Sequence, residues 1–336
     1  MTENTAATVT TPGADAAGDP SELPAIAFIG LGNMGGPMAH NLAAAGYRVI
    51  GFDLVPEALE KARAAGVEIA SSGAEAVRSA AASPRSLVIT MLPAGRHVVG
   101  ALKGSDGSDG RDPVEGLLAA AAPNTLFMDC STIAVEDSVT VRELIAAAGH
   151  RVLDAPVSGG TVGAEAGTLA MMVGGAAEDV AEATPVLEVV GKRIVHCGPA
   201  GNGLAAKVCN NMILGASMIA VSEAFVLGEK LGLSNEALFD VASNATGQCW
   251  ALTTNCPVPG PVPTSPANRD FKPGFAGALM AKDLGLAKSA IETTGIEGRM
   301  GLLAEEIYAA FAEGEGGSKD FSGIIELIRA QSTPAA

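Results

Sequence analysis

Hydrophobic and polar positions divide the chain into two unlike halves. In the first, short apolar runs alternate with longer amphipathic stretches. The runs "AIAFIG" (25–30), "YRVIGFD" (47–53), "LVIT" (87–90) and "LFMD" (126–129) have strand length. They are apolar enough to be buried on both faces, as parallel strands between helices are. "RVLDAPVSGG" (151–160) reads as a further strand and its loop, and "TLAMMVGG" (168–175) and "RIVHCG" (193–198) as two closing strands. This alternation predicts an α/β Rossmann domain, a doubly wound, mostly parallel sheet, over residues 24–198. The second half reads differently. "GNGLAAKVCNNMILGASMIAVSEAFVLGEK" (201–230) is one long, nearly apolar helix, and "NEALFDVASNA" (235–245) and "FAGALMAKDLGLAKSAIETTG" (275–295) repeat apolar residues every three to four positions. An all-α domain is therefore expected over 199–330. "CPVPGPVPTSPANRD" (256–270) reads as an extended loop too irregular to be core, and "KGSDGSDGRDP" (103–113) as a solvated surface loop.

Composition narrows the class of protein. The 336 residues are 48% hydrophobic and 17% charged, enough to bury a large core, and carry a net charge of −16. So acidic a surface argues against nucleic acid and anionic membranes as partners. The five cysteines are odd in number and form no C-x-x-C pair, which predicts reduced thiols in a cytoplasmic protein. His40, His97, His150 and His196 show no ligand spacing, so no metal site is expected. Residues 1–23 contain no Lys or Arg and no apolar run, which predicts a disordered tail rather than a targeting segment. The long helix has the length of a membrane span, but Asn210, Asn211, Ser217, Ser222 and Glu223 interrupt it. A buried helix of a soluble protein is expected.

The glycines after the first strand bring in chemistry. Gly30, Gly32 and Gly35, with Leu31, Asn33 and Met34 between them, form G-x-G-x-x-G. Alone, that pattern says little in a chain with 42 glycines. Its placement between a strand and a helix makes it a dinucleotide fingerprint. Gly30 permits the tight turn, Gly32 lets the pyrophosphate approach the backbone, and Gly35 lets helix and strand pack closely. The helix N-terminus then offers free N–H groups to the phosphates. Asp53 ends the second strand, where a carboxylate accepts from the adenosine ribose hydroxyls and repels a 2′-phosphate. The next basic residue is Lys61, so the cofactor expected is NAD rather than NADP.

"GLGNMGGPMAHNL", "DAPVSGGTVGAEAGTLAMMVGG", "GNGLAAKVCNN" and "LMAKDLGLA" together resemble the four sequence blocks of the β-hydroxyacid dehydrogenases. The stretch from "QCW" to "LMAKDLGLA" is similar to the 3-hydroxyisobutyrate dehydrogenase branch of that family. The resemblance runs from about Ala25 to Ile328. It implies a Rossmann domain followed by a helical one, an active site in the cleft between them, and NAD-dependent oxidation of a small hydroxy acid. For that branch the acid is (S)-3-hydroxyisobutyrate, an intermediate of valine catabolism. The resemblance also implies that Lys207 is the catalytic lysine, that Asn211 and the loop Ser158, Gly159 and Gly160 hold the substrate, and that Leu92, Pro93, Thr132 and Lys282 contact the cofactor. His97 takes the cofactor position at which the family pattern has Asn.

Lys207 also has a reading of its own. It is the single charge between Leu204 and Ser222, and an ammonium on an apolar helix is costly without a partner or a task. Asn211 lies one turn on and shares its face, whereas Asn210 points elsewhere and reads as structural. Free lysine has a pKa near about 10.4 and is a poor base at neutral pH. Burial and a neighbouring nicotinamide cation both disfavour the ammonium. A neutral Lys207 can then take the hydroxyl proton as hydride leaves the same carbon. Ser158 to Gly160 offer a hydroxyl and backbone N–H groups without bulk, a nest suited to a carboxylate. Trp250 and Phe275 are expected to line the cleft. The competing readings are another hydroxyacid dehydrogenase or semialdehyde reductase of the same family, and a non-catalytic NAD-binding interaction protein. The long apolar helices predict a homodimer or homotetramer.

Overall fold

The computed structural model describes residues 23–108 and 112–332. The tail expected over 1–23 lies outside the described residues except for Leu23. Among those residues, nine strands form one sheet: β1 (Ala25–Ile29), β2 (Val49–Phe52), β3 (Glu68–Ile69), β4 (Ser86–Thr90), β7 (Leu126–Asp129), β8 (Arg151–Asp154), β9 (Val157–Ser158), β10 (Leu169–Gly174) and β11 (Gly191–Gly198). They lie in the order β11-β10-β8-β7-β4-β1-β2-β3, with β9 paired to β10. The central pairs are parallel, β1 lying between β2 and β4. The run at 151–160 is therefore two short strands, not one. After β8 the chain turns back, so β10 runs antiparallel to both β8 and β9. The helix Ala177–Val190 then crosses over and sets β11 parallel to β10.

The sheet is buried on both faces, as the continuous apolar runs require. Ile26 and Phe28 of β1 enter one core cluster with Met38, Leu42 and Leu153, while Ala25, Ala27 and Ile29 enter the other with Val77, Val98 and Phe127. Alternation across a strand puts neighbours on opposite faces, and the small Ala25 and Ala27 leave room for the helix Gly73–Ala81 on the second face. The helix after the glycine turn, α1 (Gly35–Ala44), packs on the first through Met38, Ala39 and Leu42.

Beyond β11 the described chain is helical. The long helix α2 (Asn202–Lys230) buries Leu204, Lys207, Val208, Asn211, Met218, Phe225 and Val226, among others. By length and hydropathy it is a candidate membrane span. Here its buried face packs against α3 (Gly277–Thr294), α4 (Arg299–Glu313) and α5 (Ile324–Gln331), around Met218, Met280, Leu284, Tyr308, Phe311 and Phe321.

One loop expectation needs correction. The proline-rich segment does contribute to the core: Cys256 and Val258 are fully buried with Phe225, Phe271 and Ile325. Proline brings apolar surface without an N–H to satisfy, and the Ser265 hydroxyl donates to the Cys256 carbonyl inside the loop. The described part of the 103–113 segment is mostly exposed, as expected of a surface loop, and is partly ordered. Its first residues pair with the chain just beyond it, as the short antiparallel strands β5 (Gly104–Ser105) and β6 (Val114–Glu115).

Candidate active site

The glycine turn has the shape that nucleotide binding demands. Gly30 adopts φ +99°, where a side chain is strained and where a Cβ would overlap the Met91 carbonyl oxygen. A Cβ on Gly35 would overlap the Gly30 carbonyl oxygen, so α1 can sit this close to β1 only with glycine there. Gly32 is the opposite case, because a Cβ placed on it would meet nothing within 4 Å. It borders open space at the helix N-terminus, which is where a pyrophosphate fits. Leu31 is buried beneath the turn, Asn33 is exposed and Met34 is half-buried. Asp53 does more than the sequence suggested. Its carboxylate accepts from the Leu31 N–H at 2.7 Å and from the Val55 N–H at 2.8 Å. It braces the turn and keeps further lone pairs for a ligand.

Two loops at the carboxyl ends of β4 and β7 flank this turn, where ligands sit in open α/β sheets. The Leu92 N–H donates to the Ser131 hydroxyl at 2.9 Å. Asp129 lies beneath, accepting from the Thr90 hydroxyl at 2.7 Å and from the Ser131 N–H at 3.1 Å. Burial pushes the Asp129 carboxyl up to about 6, against the pull of those hydrogen bonds. Pro93 and His97 are exposed on the way into the next helix. Thr132 is drawn across the cleft, its carbonyl accepting from Lys282 Nζ at 2.8 Å. This bond ties the sheet's loop to α3 of the helical half.

Lys207 and Asn211 occupy one buried face of α2, with 7% and 1% of their surface exposed. The Asn211 amide donates to Asp283 of α3 at 2.5 Å and accepts from the Asn210 side chain at 3.1 Å. Asn210, itself exposed, supports Asn211 from beside the buried face. Asp283 lies 4.0 Å from Lys282 Nζ and is 5% exposed. Lys207 has no hydrogen bond among the described residues. Its ammonium is pushed below the ordinary lysine range by burial, with Asp283 opposing and Lys282 reinforcing. Burial raises Asp283, with Lys207, Lys282 and the Asn211 bond all opposing. A weakened ammonium beside a fixed amide is the arrangement a general base needs.

The first turn of α2 is anchored to the sheet. Asp154, at the end of β8, accepts from the Gly201 N–H and from the Leu204 N–H at 2.7 Å. A carboxylate at a helix N-terminus satisfies free donors and suits the dipole. Lys207 therefore stands one turn beyond a helix start that the strand itself holds. On the same side, Ser158 pairs with Ala170 in the β9–β10 ladder, and Gly159 and Gly160 come next with φ +138° and +63°. A Cβ on Gly160 would stand 2.9 Å from the Gly274 carbonyl oxygen, so this loop abuts the segment leading into α3. Phe275 of that segment is half-buried, its ring 5.6 Å from Phe321, whereas Trp250 is 52% exposed.

The sequence reading missed Asp283, Asp154 and Ser131. Asp283 had a signal, since a buried ammonium calls for a carboxylate and "LMAKDLGLA" holds one on an apolar helix. Asp154 and Ser131 are short polar residues at strand ends, and nothing in spacing tells them from ordinary turn residues.

Comparison with known proteins agrees with this geometry. Residues 25–198 match the family described as the NAD binding domain of 6-phosphogluconate dehydrogenase. Residues 201–328 match the family described as NAD-binding of NADP-dependent 3-hydroxyisobutyrate dehydrogenase. A probable 3-hydroxyisobutyrate dehydrogenase of Mycobacterium tuberculosis is 53% identical over 307 residues, 91% of this chain and 98% of that one. An NAD-dependent L-serine dehydrogenase of Pseudomonas aeruginosa is 44% identical over 303 residues, 90% of this chain and 97% of that one. The structure of the Mycobacterium tuberculosis 3-hydroxyisobutyrate dehydrogenase with L-serine superposes with a TM-score of 0.83, covering 91% of this chain and 99% of that one.

Proposed function

The chain belongs to the 3-hydroxyisobutyrate dehydrogenases of the β-hydroxyacid dehydrogenase family, NAD-dependent oxidoreductases, and from that premise we propose that it oxidises (S)-3-hydroxyisobutyrate to methylmalonate semialdehyde in valine breakdown, with Lys207 as general base. The observation that carries this reading is Lys207 itself, buried and with its ammonium destabilised, one turn from an asparagine that Asp283 holds.

NAD, when bound, supplies the hydride acceptor. The protein's part is to bind, orient and move a proton. The open space at Gly32 and the backbone N–H groups of the turn leading into α1 hold the pyrophosphate, and Asp53 holds the ribose. The absence of a basic residue between Asp53 and Lys61 favours NAD over NADP. Lys61 is itself paired with Glu57 at 2.8 Å. Ser158, Gly159 and Gly160 receive the substrate carboxylate, and the free amide hydrogen of Asn211 orients the hydroxyl. Lys207 Nζ takes the hydroxyl proton; in the reverse direction it returns that proton to the carbonyl oxygen. Proton transfer of this kind contributes about 10²- to 10⁴-fold. Lys282, tied to Thr132, holds the two halves at a fixed separation. In this division residues 24–198 carry the nucleotide, and residues 199–330 carry the base and the subunit contacts of a cytoplasmic homodimer or homotetramer. The exposed Ile213 (64%) and Leu227 (59%) on α2 support such contacts.

L-serine is the second reading, because one relative is a serine dehydrogenase and another is solved with L-serine. The two acids share the reacting hydroxymethyl group and differ in methyl against ammonium on the neighbouring carbon. An ammonium needs an acceptor, and the Asp283 carboxylate is engaged by Asn211 and Lys282. That favours the methyl. The test is NADH formation with both acids, and with NAD and NADP in parallel. A higher kcat/KM for L-serine would overturn the assignment of substrate.

A further inference from the structure

We infer that Asp320 is a positioning residue for the substrate pocket, holding the wall that Gly274 and Phe275 present to the Ser158–Gly160 loop. The inference rests on the proposed role of that loop. Asp320 is 1% exposed and lies far along the chain from every residue assigned above. Its carboxylate accepts from the Gly274 and Phe275 N–H groups at 3.0 and 3.1 Å through one oxygen. The other oxygen accepts from the Asn255 amide at 3.1 Å and from the Ser322 N–H and hydroxyl at 3.1 and 2.7 Å. Its own N–H donates to the Phe271 carbonyl at 2.7 Å. One residue thus closes both ends of the turn from Phe271 to Phe275.

That turn needs holding. Asp270 and Phe271 have φ +49° and +54°, a region that side chains disfavour. Such a backbone persists only where its surroundings over-determine it. The Phe321 N–H adds a bond to the Phe275 carbonyl at 2.9 Å, and the Gly277 N–H one to the Lys319 carbonyl at 2.8 Å. What the turn positions is functional on both sides. The Gly274 carbonyl lies against Gly160, close enough that only glycine fits there. Phe275 leads directly into α3, which carries Lys282 and Asp283. A carboxylate serving fold stability alone could sit anywhere in the core. This one fixes the strip of backbone shared by the substrate loop and the helix opposite Lys207.

Asp320→Asn keeps the shape but replaces one acceptor oxygen with an amide that cannot receive an N–H. We expect KM for (S)-3-hydroxyisobutyrate to rise about 10-fold or more, as small misplacements at an active site do. kcat and the Kd for NAD should stay within about 3-fold, because the Gly30–Gly35 turn is separate. Gly160→Ala presses on the same wall from the other side, so the double variant should raise KM by less than the product of the single effects. Hydrogen exchange should quicken at Gly274 and Phe275 and also at Gly159–Thr161, and not at Gly30–Gly35. Unchanged KM in a folded Asp320→Asn protein, multiplicative effects in the cycle, or exchange quickened at 274–275 alone would each overturn the inference. Should Asp320→Asn not fold, Asn255→Ala removes one donor to the same carboxylate and is read by the same measurements. If the wild type oxidises no 3-hydroxy acid, the proposed substrate is wrong, and the exchange coupling between 274–275 and 159–161 still decides on Asp320.

Discussion

The turn from Gly30 to Gly35 is shaped mostly by neighbours in sequence, with Asp53 bonded to Leu31 across 22 positions and the Met91 carbonyl closing the space beside Gly30. The hydroxy-acid cleft is assembled at long range: Asn211 meets Asp283 across 72 positions, and Lys282 meets Thr132 across 150. The difference comes from what each ligand asks. A pyrophosphate needs backbone N–H groups and room, which one strand–turn–helix unit supplies. Moving a proton from a hydroxyl needs a buried amine of altered acidity. Burial requires packed helices, and an altered acidity requires charges on a helix other than the one that carries the amine. The two regions should therefore fail in different ways when mutated.

The largest effect is expected at Lys207. Lys207→Met keeps the apolar stem and removes the base, so kcat should fall by roughly 10³-fold or more. The Kd for NAD, read by fluorescence titration, should hold within about 2-fold, because uncoupled sites are close to independent. Turnover near that of the wild type would remove the proton-transfer role and leave the cleft without its central residue.

The nucleotide turn allows a sharper contrast within itself. In Gly35→Ala the new methyl collides with the Gly30 carbonyl, a backbone atom that cannot swing aside. Overpacking of this kind costs about 1–3 kcal/mol. For a domain of this size, that is a fall in Tm of roughly 2–10 °C by calorimetry. Gly32→Ala meets no protein atom, so Tm should be unchanged while NAD binding weakens about 10-fold or more, the loss a blocked hydrogen-bonding approach produces. Equal losses of Tm in the two variants would mean that Gly32 does not border the nucleotide.

How much could be read in advance divides along the same line. The strand, the turn, α1 and Asp53 were all visible, because their spacing is local and each glycine has a steric reason. Lys207 and Asn211 were visible as an i, i+4 pair on an otherwise apolar helix. Asp283 sits beside Lys282 in "LMAKDLGLA" but was missed, since nothing in its own helix says that it faces Asn211. The buried Cys256 and Val258 were hidden for a related reason: an irregular loop has no period, so its buried positions carry no pattern. The antiparallel return of β10 was likewise unreadable, because an apolar strand looks the same in either direction.

Cofactor choice should show a smaller effect. With Asp53 proposed at the ribose and no basic residue following it before Lys61, NAD should exceed NADP in kcat/KM by at least about 10-fold, or roughly 1.4 kcal/mol. Asp53→Ser should narrow the ratio. It should also loosen the turn, because the bonds to Leu31 and Val55 are weakened together. A wild type that uses both cofactors equally would break the ribose assignment and leave Asp53 as a brace alone.

The smallest effect expected in rate, though the most specific, is a displaced pH profile. With Lys207 as the proposed base, oxidation requires its neutral form, so activity should be lost as pH falls through its pKa, and the acid limb of kcat/KM should report that value in the free enzyme. Burial holds it low, Asp283 holds it up, and Lys282 pushes it down. Asp283→Asn removes the opposing charge, and the acid limb should move to lower pH. Lys282→Met removes a repelling charge, and the limb should move to higher pH. The plateau rate of Asp283→Asn should stay within a few-fold of wild type, about the cost of one hydrogen bond altered rather than lost, since an asparagine oxygen can still accept from Asn211. The opposite signs separate an electrostatic effect on Lys207 from general damage to the cleft, which would lower the plateau without moving the limb in opposed directions. If both variants shifted the limb the same way, the acidity of Lys207 would not be set by the charges on α3, and the long-range assembly of the cleft would serve only to pack it.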